Sequence, residues 1–207
     1  MQCVSMQGVA VARSSREDAA RTWEAILDAA THAFGSQGYS AVSLEGVANS
    51  VGVTRGALYN RYPNKRTLFE AVLERVMSSV RDRVEAAVAP GASEMEQLRY
   101  GATEFVRASV EPVTCQIMLI DAPAVLGWSR WRELDAQHSR RGLAEGLLEL
   151  SRDGQLDPSS VDAAAALLSG ALNEAALWAT EQPELDHALE QIDRNFARML
   201  DALVTAS

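Results

Sequence analysis

The chain has 207 residues, 47% of them apolar, and a formal net charge of −9. That is enough for one domain or two small ones with a real core, while no stretch approaches the ~20 apolar residues of a membrane span. Taken whole, so acidic a chain argues against a nucleic-acid partner. The Ala- and Arg-rich makeup, with few β-branched runs, favours an all-α protein. Cys3 and Cys115 lie far apart and form no metal-binding pattern, which suits a reducing cytoplasm.

The first fifteen residues, MQCVSMQGVAVARSS, carry no charge ahead of their short apolar run, so they do not read as a signal peptide. Residues 1–15 read as a disordered arm, and either Met1 or Met6 can be the start. A first helix is expected from about Arg16 to Ser36, with Ser14 and Glu17 as a capping box. Its inner stripe is Trp23, Ile26, Leu27, Ala30, Ala33 and Phe34.

Residues 43–65, SLEGVANSVGVTRGALYNRYPNK, are the most specific part of the chain. Ser43 can cap a helix whose inner face is Leu44, Val47 and Ala48. Gly52 supplies the freedom for a sharp turn. Thr54 then caps a second short helix, with Leu58 inward and Arg55, Tyr59 and Arg61 outward. Pro63 ends it. Two short helices joined by a glycine turn make a helix-turn-helix, whose second helix enters a DNA major groove. Asn64 caps a long connecting helix over 64–88. Lys65 and Arg66 in its first turn oppose the helix dipole, which suggests an external anion such as a phosphate there.

Beyond it, Ser93 and Glu96 form a second capping box, opening a helix that Pro112 stops. CQIMLIDAPAVLG reads as a short buried helix and a loop. An amphipathic helix follows from Trp128 to Arg152. Asp157-Pro158 starts another that runs to Thr180, and Pro183 restarts the last. The total is about nine helices and no strand.

Charge is unevenly divided. Residues 1–66 hold seven basic and five acidic side chains, and the rest hold twelve and twenty-three. A weakly basic head on an acidic body would turn the head toward phosphates.

Residues 22–72 resemble the DNA-binding domain of the TetR family of bacterial transcriptional regulators. The matching positions include Ala30, Phe34, Gly38, Tyr39, Ser43, Val47, Ala48, Val51, Gly52, Val53, Thr54, Gly56, Leu58, Tyr59, Tyr62, Pro63, Asn64, Lys65, Leu68 and Phe69. Asn60-Arg61-Tyr62 departs modestly from the family's usual residues. The resemblance implies a three-helix DNA-binding head over 16–66 and a helical ligand-binding and dimerisation domain over 67–207. It implies that Arg55 reads a base edge, with Asn60 as a second reader. Ser43, Thr54, Tyr59, Tyr62 and Lys65 would hold phosphates, and Gly56 would let the backbone approach closely.

In the body, Cys115, Met118, Leu119, Trp128, Trp131 and His138 are candidates to line a pocket for an apolar or aromatic small molecule. Each also suits ordinary core, and His138 suits a solvent-facing site beside Arg140 and Arg141. The last two helices carry many small residues. They suit either tight packing within one body or a homodimer interface through Leu168, Leu172, Ala175, Ile192, Phe196 and Met199. A two-fold dimer would meet a palindromic operator on double-stranded DNA. No catalytic motif, cofactor loop or metal-spaced cluster is present. The expectation is a non-enzymatic, cytoplasmic, DNA-binding regulator, most simply a repressor released by an unidentified small molecule. Loss of ligand response and action as an activator remain alternatives, with a helical enzyme as a remote one.

Overall fold

The computed structural model describes the backbone over residues 6–204 and side chains over 19–204. The described residues form nine helices and no strand. The first five residues of the expected arm lie outside the description.

Helix α1 spans Met6–Ala41, so it starts ten residues before the expected Arg16. Residues 6–15 contain no proline and a single glycine, Gly8, which costs a helix only about 1 kcal/mol. The helix therefore runs through what had read as an arm. It kinks at Gly38 (φ 76°, ψ 158°), a conformation that L side chains rarely adopt.

α2 (Leu44–Ser50), α3 (Arg55–Arg61) and α4 (Lys65–Ala87) follow. Each is capped as the sequence indicates. Ser43 Oγ accepts from Gly46 N at 3.0 Å, Thr54 Oγ1 from Ala57 N at 3.3 Å, and Asn64 Oδ1 from Thr67 N at 2.9 Å. Gly52 (φ 71°) makes the turn between α2 and α3. The head closes on Ile26, Ala30, Phe34, Leu44, Val47, Leu58, Leu68 and Phe69, all buried. Phe34 meets Phe69 edge-to-face with centroids 5.1 Å apart. Fully burying one such side chain is worth about 1.5–3 kcal/mol.

α5 (Glu94–Ser109) opens with the Ser93–Glu96 capping box. It is the central helix of the body, packed against α4 and four later helices. α6 (Pro112–Leu126) corrects the expected helix-plus-loop. It is α-helical over Pro112–Thr114 and Ala122–Leu126, and π-helical over Cys115–Asp121. The wider π register explains how the chain passes Pro123. Ala122 N bonds to Ile117 O, five residues back, so Met118 O would next receive residue 123, which is proline and has no N–H. The indole N–H of Trp131 donates to Met118 O instead, at 2.9 Å. A buried carbonyl is thereby satisfied.

α7 (Trp128–Arg152) begins directly after Gly127. A 3-10 turn over Pro158–Ser160, capped by Asp157, leads into α8 (Val161–Thr180), and α9 (Leu185–Leu203) completes the body. One continuous apolar core runs from the head into the body, with α4 as the element common to both.

Candidate nucleic-acid interface and body cavity

The outer face of α3 carries several of the side chains expected to meet DNA. Arg55, Gly56 and Asn60 are exposed, as are Ser43 and Thr54. A Cβ at Gly56 would meet nothing within 4 Å, so the helix surface there is open to a close approach. Ser43 and Thr54 act first as caps, each using a side-chain oxygen on a backbone N–H.

Tyr59 and Arg55 are not independent. Tyr59 Oη donates to Glu45 Oε1 at 2.8 Å, Arg55 Nη2 lies 3.3 Å from the same oxygen, and the Arg55 guanidinium sits 5.0 Å over the Tyr59 ring. Backbone hydrogen bonding in the first turn of α2, then the Tyr59 hydroxyl, holds the Glu45 carboxyl below its ordinary range. The same bond to Glu45 pushes the Tyr59 phenol up. Glu45 was not singled out from the sequence. An acidic residue in a first turn reads as a dipole partner, and nothing local ties position 45 to position 59.

Two expected phosphate contacts are placed differently. Tyr62 is buried, with its ring edge-on to Trp23 at 6.4 Å, so it belongs to the core of the head. Arg61 stacks over Trp23 at 5.0 Å. Lys65 Nζ donates to Tyr39 O at 2.8 Å and Ser40 O at 3.2 Å, the terminal carbonyls of α1. Arg66 Nη2 donates to Leu126 O at 3.2 Å, the last carbonyl of α6. The basic first turn of α4 thus serves the negative ends of two neighbouring helices, with no external anion needed to explain it. Asp121 Oδ2 accepts from Tyr39 N at 2.7 Å, just past the Gly38 kink. These bonds tie the head to α6 and α4.

The body holds a cavity of about 590 Å³ between α4, α5, α7 and α8. Of the six expected pocket residues only His138 lines it. Cys115, Met118, Leu119 and Trp131 are buried in the core around the π turn, and Trp128 is 66% exposed, packed on Trp131. On α6, Cys115, Met118 and Leu119 point inward to fill space, while the cavity opens between α4, α5, α7 and α8. Burial also raises the Cys115 thiol pKa, which keeps it unreactive.

The apolar part of the cavity lining is formed by Val80, Val84, Leu98, Ala102, Phe105 and Leu172. The rest of the lining is largely polar and charged. Burial, with Arg81 adding to it, lowers the His138 pKa, so the ring is neutral near pH 7. His138 Nδ1 and Ser139 Oγ are buried there without a protein partner. Ser169, another lining residue, donates to buried Asp135 at 3.2 Å. Burial raises the Asp135 carboxyl, against the pull of Arg132 at 3.2 Å and the Ser169 hydrogen bond. Glycines mark the close approaches: a Cβ at Gly146 would lie 2.7 Å from Leu98 Cδ2, and one at Gly101 would lie 3.2 Å from Val84 Cγ1.

The expected interface residues divide. Leu168, Leu172 and Phe196 are buried inside the subunit, while Ala175 and Ile192 are half-buried and Met199 is exposed. The apolar side chains that face out are Leu167, at 72% exposure, and Trp178 on α8, with Leu185 and Met199 on α9. Among the described residues no group of three His, Cys, Asp or Glu side chains is arranged to hold a metal. No single described helix is long and apolar enough to cross a membrane.

A capped helix-turn-helix on a long connecting helix, set on a hollow helical body, defines a helical DNA-binding regulator. Residues 26–72 match the family model for bacterial regulatory proteins of the tetR family, and residues 95–203 match the tetracyclin repressor-like C-terminal domain. The chain belongs to the TetR family of DNA-binding transcriptional regulators.

The chain is 39% identical over 70 residues to the HTH-type transcriptional regulator AcrR of Shigella flexneri, covering 34% of this chain and 33% of that one. Identity to the HTH-type transcriptional regulator YezE of Bacillus subtilis is 29% over 165 residues, covering 75% and 82%. A TetR-family regulator from Pectobacterium atrosepticum superposes with a TM-score of 0.74 at 26% identity, over 92% of this chain and 98% of that one. The SmeT–triclosan complex shares the fold, with a TM-score of 0.69 at 24% identity, over 90% and 93%.

Proposed function

We propose that the protein is a cytoplasmic, homodimeric repressor that grips a palindromic operator through α3 and releases it when a small molecule fills the body cavity. The observation that carries this reading is the position of α4. Its first turn is bonded to the last carbonyls of α1 and α6, and about four to six turns later the same helix and its C-cap line the cavity through Val80, Arg81, Val84, Glu85 and Val88. A ligand that favours one placement of α4 therefore biases the placement of the head. It does so only through its different affinity for the two arrangements.

On the DNA side, Arg55 and Asn60 read base edges from the exposed face of α3. Ser43, Thr54 and Tyr59 meet phosphates, and Lys65 keeps one donor for the same purpose. Gly56 leaves room for the backbone to approach. The dimer forms through α8 and α9 in a register set by Leu167, Trp178 and Met199, with Ala175 and Ile192 at its edge. Stripes of exposed apolar side chains are what a second copy would cover.

A footprint on the protein's own promoter, combined with sedimentation of the free protein, tests the reading. The expected result is a two-fold symmetric protected site and a dimer at micromolar concentration. A monomer protecting one isolated half-site would refute it.

A further inference from the structure

We propose that Glu45 is a specificity-determining residue of the head, which holds Arg55 in position to read a guanine and keeps it off the phosphates. The proposal rests on Arg55 being a base reader and adds what aims it.

An exposed arginine at the start of a recognition helix has two uses. Swung onto a phosphate, it adds affinity for any DNA; aimed into the major groove, it grips O6 and N7 of guanine. Arg55 opens α3 and its side chain is 70% exposed, so packing alone does not choose between them. Glu45, in the first turn of α2, does. Its Oε1 lies 3.3 Å from Arg55 Nη2 and accepts the Tyr59 hydroxyl at 2.8 Å. The Arg55 guanidinium lies 5.0 Å over the Tyr59 ring, and that ring is itself half-buried against the core of the head. A carboxylate thus holds one nitrogen of the guanidinium and a packed ring holds its face. Arginine carries five N–H donors, so donors are left for a base edge while the swing of the side chain is restrained.

Glu45 is itself anchored. It stands at the positive end of the α2 dipole, and its backbone hydrogen bond and the Tyr59 hydroxyl keep it charged near pH 7. An exposed ion pair adds little to stability, so stability does not account for this cluster. A carboxylate on the DNA-facing side also weakens attraction to phosphates at every sequence. Specificity is a difference of affinities, and both effects widen it: Arg55 is aimed at one base, and binding that does not use that base is weakened.

The test lets the full-length protein select from duplexes with a randomised core, then varies the preferred half-site one base pair at a time. Anisotropy titrations at several salt concentrations compare wild type, Arg55→Ala, Glu45→Asp and Glu45→Gln. Arg55→Ala marks the position that Arg55 reads. Glu45→Asp keeps the charge and suits a first turn, but draws the carboxylate back by about 1.5 Å, out of reach of both partners. The expected result is a several-fold loss of base preference in Glu45→Asp, at that position alone and with the wild-type salt slope. Glu45→Gln should lose preference at the same position and steepen the slope by about 0.9. Full preference in Glu45→Asp, or a loss spread evenly over all positions as distortion of the head would give, overturns the role of Glu45 and leaves Arg55 as the reader. Unchanged preference at every position in Arg55→Ala overturns the reading of Arg55 and the proposal with it.

Discussion

Gly35→Ala tests the seam between head and body, because two effects of opposite sign compete there. Gly35 lies in α1, where alanine is the better helix former by up to about 1 kcal/mol. Propensity alone predicts a more stable protein. The structure predicts the reverse. A Cβ at position 35 would lie 2.5 Å from Val113 Cγ1 and 2.9 Å from both its Cβ and its Cγ2. Carbon atoms rest about 3.5–4.0 Å apart, so the shortfall is about 1 Å. Val113 cannot rotate away, since its Cβ is itself too close and a β-branched side chain always presents another methyl. α1 and α6 must therefore separate, at a strain cost of about 1–3 kcal/mol. The net loss is roughly 1–2 kcal/mol after the propensity gain, or a drop of about 2–8 °C in Tm for a chain of this size. Calorimetric melting of Gly35→Ala in wild-type and Val113→Ala backgrounds provides the measurement. The penalty should shrink in the second, where only the 2.9 Å contact with Cβ is left. A higher Tm for Gly35→Ala in the wild-type background, or an equal effect in both, would refute the packing argument.

Four further outcomes follow from the geometry. Arg55→Ala should cost about 1–3 kcal/mol of operator affinity and relax base preference; equal selectivity in gel-shift titrations would remove Arg55 as a reader. Glu45→Gln frees Arg55 and removes a negative charge from the DNA-facing side, so it should tighten binding to scrambled DNA. It should also steepen the salt slope by about 0.9, and anisotropy titrations at several salt concentrations that show an unchanged slope count against the restraint. For Asp135, burial raises the folded carboxyl above its ordinary 3.8. Its contribution to stability is therefore full below that value and lost as pH rises through the folded pKa, so Asp135→Asn should gain on wild type between pH 4 and pH 7 in thermal melts. A pH-independent gap contradicts this. Leu167→Glu should leave the subunit folded, because Leu167 is exposed, yet shift sedimentation from dimer to monomer; a dimer that survives would move the interface elsewhere.

The sequence made local features legible. Ser43, Thr54, Asn64 and Ser93 cap the helices they were expected to cap, since a cap depends on residues three positions apart. The order of nine helices was readable for the same reason. What depends on tertiary placement was not. Met118 and Trp131 looked like pocket residues because they are large and apolar, but those properties also build a core, and the hydrogen bond that joins them crosses from one helix to the next. Leu168 was expected at an interface, yet it is buried within the subunit while the neighbouring Leu167 is exposed, because a helix as rich in alanine and leucine as α8 looks apolar all round. The bonds of Lys65 and Arg66 to the ends of α1 and α6 were not legible, because those helix ends, at Ser40 and Leu126, are distant in sequence.

The central claim is that cavity and operator are linked through α4. Linkage requires reciprocity: a compound that weakens operator binding must itself bind more weakly to the operator-bound protein, by the same factor. Measuring the affinity of one cavity ligand for free and operator-bound protein, alongside operator affinity with and without that ligand, closes the cycle. The account predicts equal factors of about 5–150 on both arms. Ligand binding that leaves operator affinity unchanged would contradict it.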